Sequence, residues 1–129
     1  MYISCECSEY KIFKETDRDV FIVKGAYTIN FFTKQTAELF NHDISELNKD
    51  IEELMKCVPD GIIFLDCSKE KILERFKNDA NVRETMKIWF DYYYESFRKY
   101  YLSLENVHVI DTSNLTDEEV YQEVIKLIE

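Results

Sequence analysis

This sequence predicts an α/β fold: three layers, with a mostly parallel sheet and helices on its faces. Three observations carry that expectation. Val20-Phe21-Ile22-Val23 and Ile62-Ile63-Phe64-Leu65 are continuous apolar runs too short for helices, as expected of strands buried on both faces of a parallel sheet. Between and beyond them the apolar period lengthens to three and four, the spacing of helices. The resulting order is strand, two helices, strand, helix, long helix, strand, helix, and this alternation argues for a parallel sheet.

With 129 residues, one domain is expected over the whole chain. Within it, residues 1–19 read poorly and residues 20–129 carry the α/β pattern. Residues 2–7 partly alternate, as a half-buried strand would, and a polar break follows at residues 15–19. After the run at 20–23, Phe31, Phe32, Leu39 and Phe40 predict a helix over about 28–40. Asp43 with Glu46 resembles a capping box, and Leu47, Ile51, Leu54 and Met55 then form the stripe of a helix to about residue 57.

Pro59-Asp60-Gly61 is a turn signal before the second apolar run. That run ends at Asp66, and Asp66 and Ser68 both offer caps to a helix bearing Ile72, Leu73 and Phe76. From Val82 the longest periodic signal begins: Val82, Met86, Phe90, Tyr93, Phe97, Tyr101 and Leu104 line one face of a helix of more than five turns. Tyr92 and Tyr94 fall inside this pattern, so core packing is a better reading of them than base stacking. Val107-His108-Val109-Ile110-Asp111 is the third strand, and Thr116 with Glu119 forms a capping box for a last helix.

Composition excludes several functions. The formal net charge of −10 opposes broad contact with nucleic acid or an anionic membrane. No apolar run approaches the length of a membrane span. Residues 1–7 lack the pattern of a signal peptide, so a cytoplasmic protein with reduced thiols is expected. Cys5, Cys7, Cys57 and Cys67 match no common zinc spacing, and neither His42 nor His108 has a partner at metal or triad spacing, so no metal site is expected.

The second half of the chain resembles the P-loop nucleoside and nucleotide kinases, the thymidylate kinase type most closely. Residues 59–68 look like the strand leading to that family's lid, and Glu74-Arg75 like the arginine of the helix that follows. Arg83-Glu84 falls where the lid contributes basic residues, and residues 93–101 look like its long aromatic helix. Val109-Ile110-Asp111-Thr112 followed by Glu118-Glu119-Val120 resembles the last strand, the adenine-side loop and the closing helix. Residues 20–27 are a weaker match to the strand before the substrate-side helix.

The resemblance implies an incomplete P-loop kinase-like fold. Phosphoryl transfer needs a glycine-rich loop with a lysine and a hydroxyl around the phosphates and Mg²⁺. Gly25 and Gly61 are the only two glycines, so that loop is absent from this sequence. Where the family carries an acidic-arginine pair, this chain has Lys24-Gly25; Lys24 keeps a positive charge but cannot act as a base.

As implied nucleotide- or phosphate-binding candidates, Arg75, Lys77 and Arg83 form the basic set, joined by Lys24. Asp66 and Asp111 end strands on the side where open α/β sheets place ligands. The competing reading makes the basic residues a solvated surface paired with Glu74, Asp79 and Glu84, and the two aspartates turn formers. No catalytic residue is assigned.

The functional expectation is a truncated or degenerate kinase-like domain without independent phosphoryl transfer. ATP and Mg²⁺ enter only if a phosphate loop comes from a missing segment or a partner. Two alternatives stand beside it. One is an interaction or regulatory module whose sheet is filled by a protein partner or a second copy. The other is the C-terminal part of an active ATP-dependent kinase, with Met1 an internal methionine of a longer gene.

Overall fold

The computed structural model describes residues 10–12, 14–16 and 18–129. The strand expected at residues 2–7, with Cys5 and Cys7, lies outside them. Where one domain is expected, the chain divides into two compact units, Met1–Asp60 and Gly61–Glu129.

In the first unit, helix α1 spans Ala26–Leu39, beginning two residues before the expected start. It ends in a Schellman arrangement: Asn41 adopts φ 52°, the His42 N–H donates to the Ala37 carbonyl and the Asn41 N–H to Glu38. Asparagine tolerates this left-handed backbone better than most residues, which explains the break at Asn41-His42. A 3₁₀ turn at Ser45–Leu47 then leads into α2, Asn48–Leu54. The helix expected from Asp43 is thus shorter, because the Asp43 carboxylate accepts from the nearby Ser45 N–H and closes a tight turn instead. Ala26, Leu54 and Cys57 form this unit's core, with Tyr10, Ile29 and Val58 packed against it.

Residues 20–23 are a correction: they form no strand, and Phe21 and Val23 are largely exposed. A continuous apolar run states only that burial would be favourable, and a strand also needs a neighbour to satisfy its backbone groups.

In the second unit, β1 (Ile62–Asp66) and β2 (Val107–Asp111) pair in parallel, with Ile62 opposite Val107 and Asp66 opposite Asp111. Among the described residues the sheet has these two strands. Burial on both faces is therefore not reached: Leu65 is 51% and Val109 48% exposed. Helix α3 (Lys69–Asn78) starts on Ser68, whose hydroxyl accepts from the Lys71 N–H at 3.3 Å. Helix α4 spans Glu84–Leu102, and its Tyr101 ring stacks on Phe64 of β1 with centroids 5.3 Å apart. Phe97 closes the same cluster, 4.8 Å from Tyr101.

Helix α5 (Asp117–Ile128) begins with the expected capping box: Thr116 N–H donates to the Glu119 carboxylate at 2.7 Å, and Glu119 N–H to the Thr116 hydroxyl at 3.2 Å. Replacing Thr116 by Ala removes one half of that exchange and is expected to cost about 1 kcal/mol. Urea denaturation measures it, and an unchanged midpoint would show that α5 does not depend on its cap.

Candidate functional site

The carboxyl ends of β1 and β2 are held together by hydrogen bonds from the loop that follows β2. Thr112 donates to the Asp66 carbonyl through both its N–H (2.8 Å) and its hydroxyl (2.9 Å). Ser113 then bridges the two strand ends: its hydroxyl donates to Asp111 at 2.6 Å and accepts from the Ser68 N–H at 2.9 Å. The Ser113 hydroxyl and N–H together hold the Asp111 carboxyl below its ordinary range. Parallel pairing brings Asp66 and Asp111 level, and their side chains then take separate partners.

Asp66 faces α4. Arg98 forks onto it, Nε at 2.9 Å from Oδ1 and Nη2 at 2.9 Å from Oδ2, while the Cys67 N–H donates to Oδ1 at 3.0 Å. The carboxylate is 12% exposed and both oxygens are occupied, so it acts as an anchor between the strand end and the helix. The pair raises the Arg98 pKa above its usual value, chiefly through the hydrogen bond to Asp66. One turn earlier, the Tyr94 hydroxyl donates to the Cys67 carbonyl at 2.6 Å. Burial pushes the Tyr94 hydroxyl pKa up, and the negative charge of Asp66 adds to that.

Arg75 projects from α3 to the loop after β2, where Nη2 donates to the Thr112 carbonyl at 2.9 Å. Beside this bond lies an open cavity of about 360 Å³. Lys71, Arg75 and Asn78 of α3 line one side, and Ser113, Asn114 and Thr116 the other. Glu74 and Leu115 also line it, and Lys71 is paired with Glu74 at 3.2 Å, so the charge there is partly balanced beside the amide and hydroxyl groups.

The other basic candidates are dispersed. Lys77 is exposed on α3, and Arg83 occupies the N-cap position of α4 without a side-chain cap. Neither forms an ion pair with the acids expected to neutralise it. Glu74 is engaged by Lys71, Glu84 by Lys87, and Asp79 by the Asn81 N–H. Lys24 belongs to the first unit, in an exposed turn with φ 61°.

Sequence reasoning named Arg75, Asp66 and Asp111 but missed Arg98, Ser113 and Asn114. Tyr94 and Arg98 are four apart and so share a helix face, a spacing visible in the sequence. Ser113 and Asn114 had no comparable signal, because loop polarity is ordinary.

Among the described residues no three His, Cys, Asp or Glu side chains are grouped to hold a metal ion. Nor, among them, is any helix long and apolar enough to cross a membrane. No family model, curated protein or solved structure matches this chain.

Proposed function

We propose that residues 61–129 are a thymidylate kinase-type nucleoside/nucleotide kinase-like unit that binds the base of an adenine nucleotide and does not transfer phosphate by itself. The observation that carries this reading is the bond from Arg75 to Thr112 beside the cavity. It joins the arginine of the lid-type helix to the adenine-side loop, two segments that the sequence related only by resemblance. The lining suits an uncharged heteroaromatic ring: the side-chain amides of Asn78 and Asn114 offer donors and acceptors, and a guanidinium plane can stack on a base. The inactivity follows from the absent glycine-rich loop, without which no row of backbone amides surrounds the phosphates.

Calorimetric titration with ADP, and with ATP and Mg²⁺, tests both halves. The expected result is binding of both nucleotides, weakened about tenfold in Arg75→Ala, with no Mg²⁺-dependent phosphate transfer to a nucleoside or nucleoside monophosphate. No heat at millimolar ADP would sink the binding claim, and measurable transfer would sink the claim of inactivity.

A second reading, an interaction module, rests on a different observation. Among the described residues the sheet has two strands and Leu65 and Val109 are about half exposed, and a parallel edge left open is a template for an added strand. A protein partner that protects the amides of β1 or β2 from hydrogen exchange would favour it over nucleotide binding.

A further inference from the structure

The cavity between α3 and the loop after β2 has two walls, and one hydroxyl joins them. Ser113 belongs to the loop wall, where its N–H and its hydroxyl both donate to Asp111 Oδ1, at 3.0 and 2.6 Å. The same hydroxyl accepts from the Ser68 N–H at 2.9 Å. Ser68 is the N-cap of α3, so this bond ties the start of the helix to the loop. Lys71, Arg75 and Asn78 follow on α3 at helical spacing, on the side that lines the cavity.

With its proton on Asp111 and a lone pair on Ser68, the Ser113 hydroxyl has little left for a ligand. The groups still open are the side-chain amides of Asn78 and Asn114, one on each wall. Neither has a hydrogen-bond partner among the described residues. Two bonds fix how far apart these walls stand: Arg75 to the Thr112 carbonyl, and Ser68 to Ser113. Two anchor points set a helix's direction as well as its distance, which a single bond cannot do. Of the two, Ser113 is the stiffer, because serine has a single torsion before its oxygen and arginine a long flexible stem.

We propose that Ser113 is the positioning residue of this cavity: it touches no ligand, and it sets the amides of Asn78 and Asn114 at the spacing that reads an adenine edge. This role rests on the nucleotide binding proposed above and adds what selects the base. A carboxamide presents a donor and an acceptor side by side, which matches the amino group and ring nitrogen along one edge of adenine. The corresponding edge of guanine presents two acceptors. Adenine is therefore preferred, and the preference depends on the amides being held in place. Removing the hydroxyl leaves the half-buried Ser68 N–H without its acceptor, and the start of α3 shifts to recover one.

Calorimetric titration of the intact chain with ADP and with GDP tests this. The unsubstituted chain is expected to bind ADP about tenfold more tightly than GDP. Ser113→Ala is expected to weaken ADP by about tenfold and GDP far less, so that the preference disappears. Ser113→Thr keeps the hydroxyl and restores the preference. Asp111→Ala removes the acceptor that orients this hydroxyl and narrows the preference by about threefold. Asp111 is exposed, so that result stands even if Ser113→Ala folds poorly. An unchanged preference in Ser113→Ala would overturn the positioning role and leave nucleotide binding standing. Equal weakening of both nucleotides would do the same, by showing a structural tie only. No binding of either nucleotide to the unsubstituted chain would overturn both.

Discussion

Tyr101→Ala is expected to cost about 3–5 kcal/mol, a large share of the roughly 5–15 kcal/mol that holds an ordinary domain folded. Tyr101 is 9% exposed and is the ring on which the second unit's aromatic cluster converges. Phe64 stacks on it, and Phe97 and Tyr100 approach it at 4.8 and 5.5 Å. Truncation removes the ring's transfer free energy and leaves a cavity that a strand and a helix cannot easily close, because their backbones are set by hydrogen bonds. Arg98 and Asp66 join the same two elements, but a partly exposed ion pair is screened by water and does not replace an aromatic contact. Urea denaturation followed by near-ultraviolet circular dichroism reads the loss. The comparison is Tyr121→Ala, 57% exposed, where a change within about 0.5 kcal/mol is expected. Equal midpoints for the two variants would show that the cluster does not hold α4 to the sheet.

Leu54→Ala is expected to cost about 3 kcal/mol in the first unit. Leu54 is 0% exposed and sits with Ala26 and Cys57. Both neighbours are small, so the leucine is the one large side chain of this buried trio, with Tyr10, Ile29 and Val58 packed around it. Neither neighbour can expand into the space left behind, which places the cost toward the middle of the range for leucine truncations. Faster amide exchange in α1 and α2, measured peptide by peptide, is the expected signature. Exchange rates that match the unsubstituted chain would show that this small core contributes little. Leu54→Met, which keeps the volume, should recover most of the loss.

Helices were the most legible part of the sequence. The long aromatic helix, the capping box at Thr116 and the Ser68 cap were each read within a few residues, because periodicity and capping are local properties. Strands were legible only where a partner existed. Val20-Phe21-Ile22-Val23 and Ile62-Ile63-Phe64-Leu65 look alike as strings, yet the second lies beside β2 and the first is an exposed loop. Pairing is a long-range event, and nothing within four residues announces it. The expected charge pairing failed for a related reason. Glu74, Asp79 and Glu84 lie close in sequence to Arg75, Lys77 and Arg83, which suggests local pairing but not which base each acid meets. On a helix Glu74 and Glu84 reach residues three away instead, Lys71 and Lys87.

What the sequence by itself determined is local: where helices start, which face of each is apolar, that a glycine-rich phosphate loop is absent, and that the chain is strongly acidic. What only the tertiary structure decided is which distant residues meet. It set Asp66 against Arg98, Arg75 against Thr112, and Ser113 between the two strand ends. The physical reason is that capping and periodicity arise from atoms a few residues apart, whose geometry the backbone dictates. A hydrogen bond between residues 32 or 37 positions apart depends on how a strand and a helix pack, and that packing belongs to no single segment.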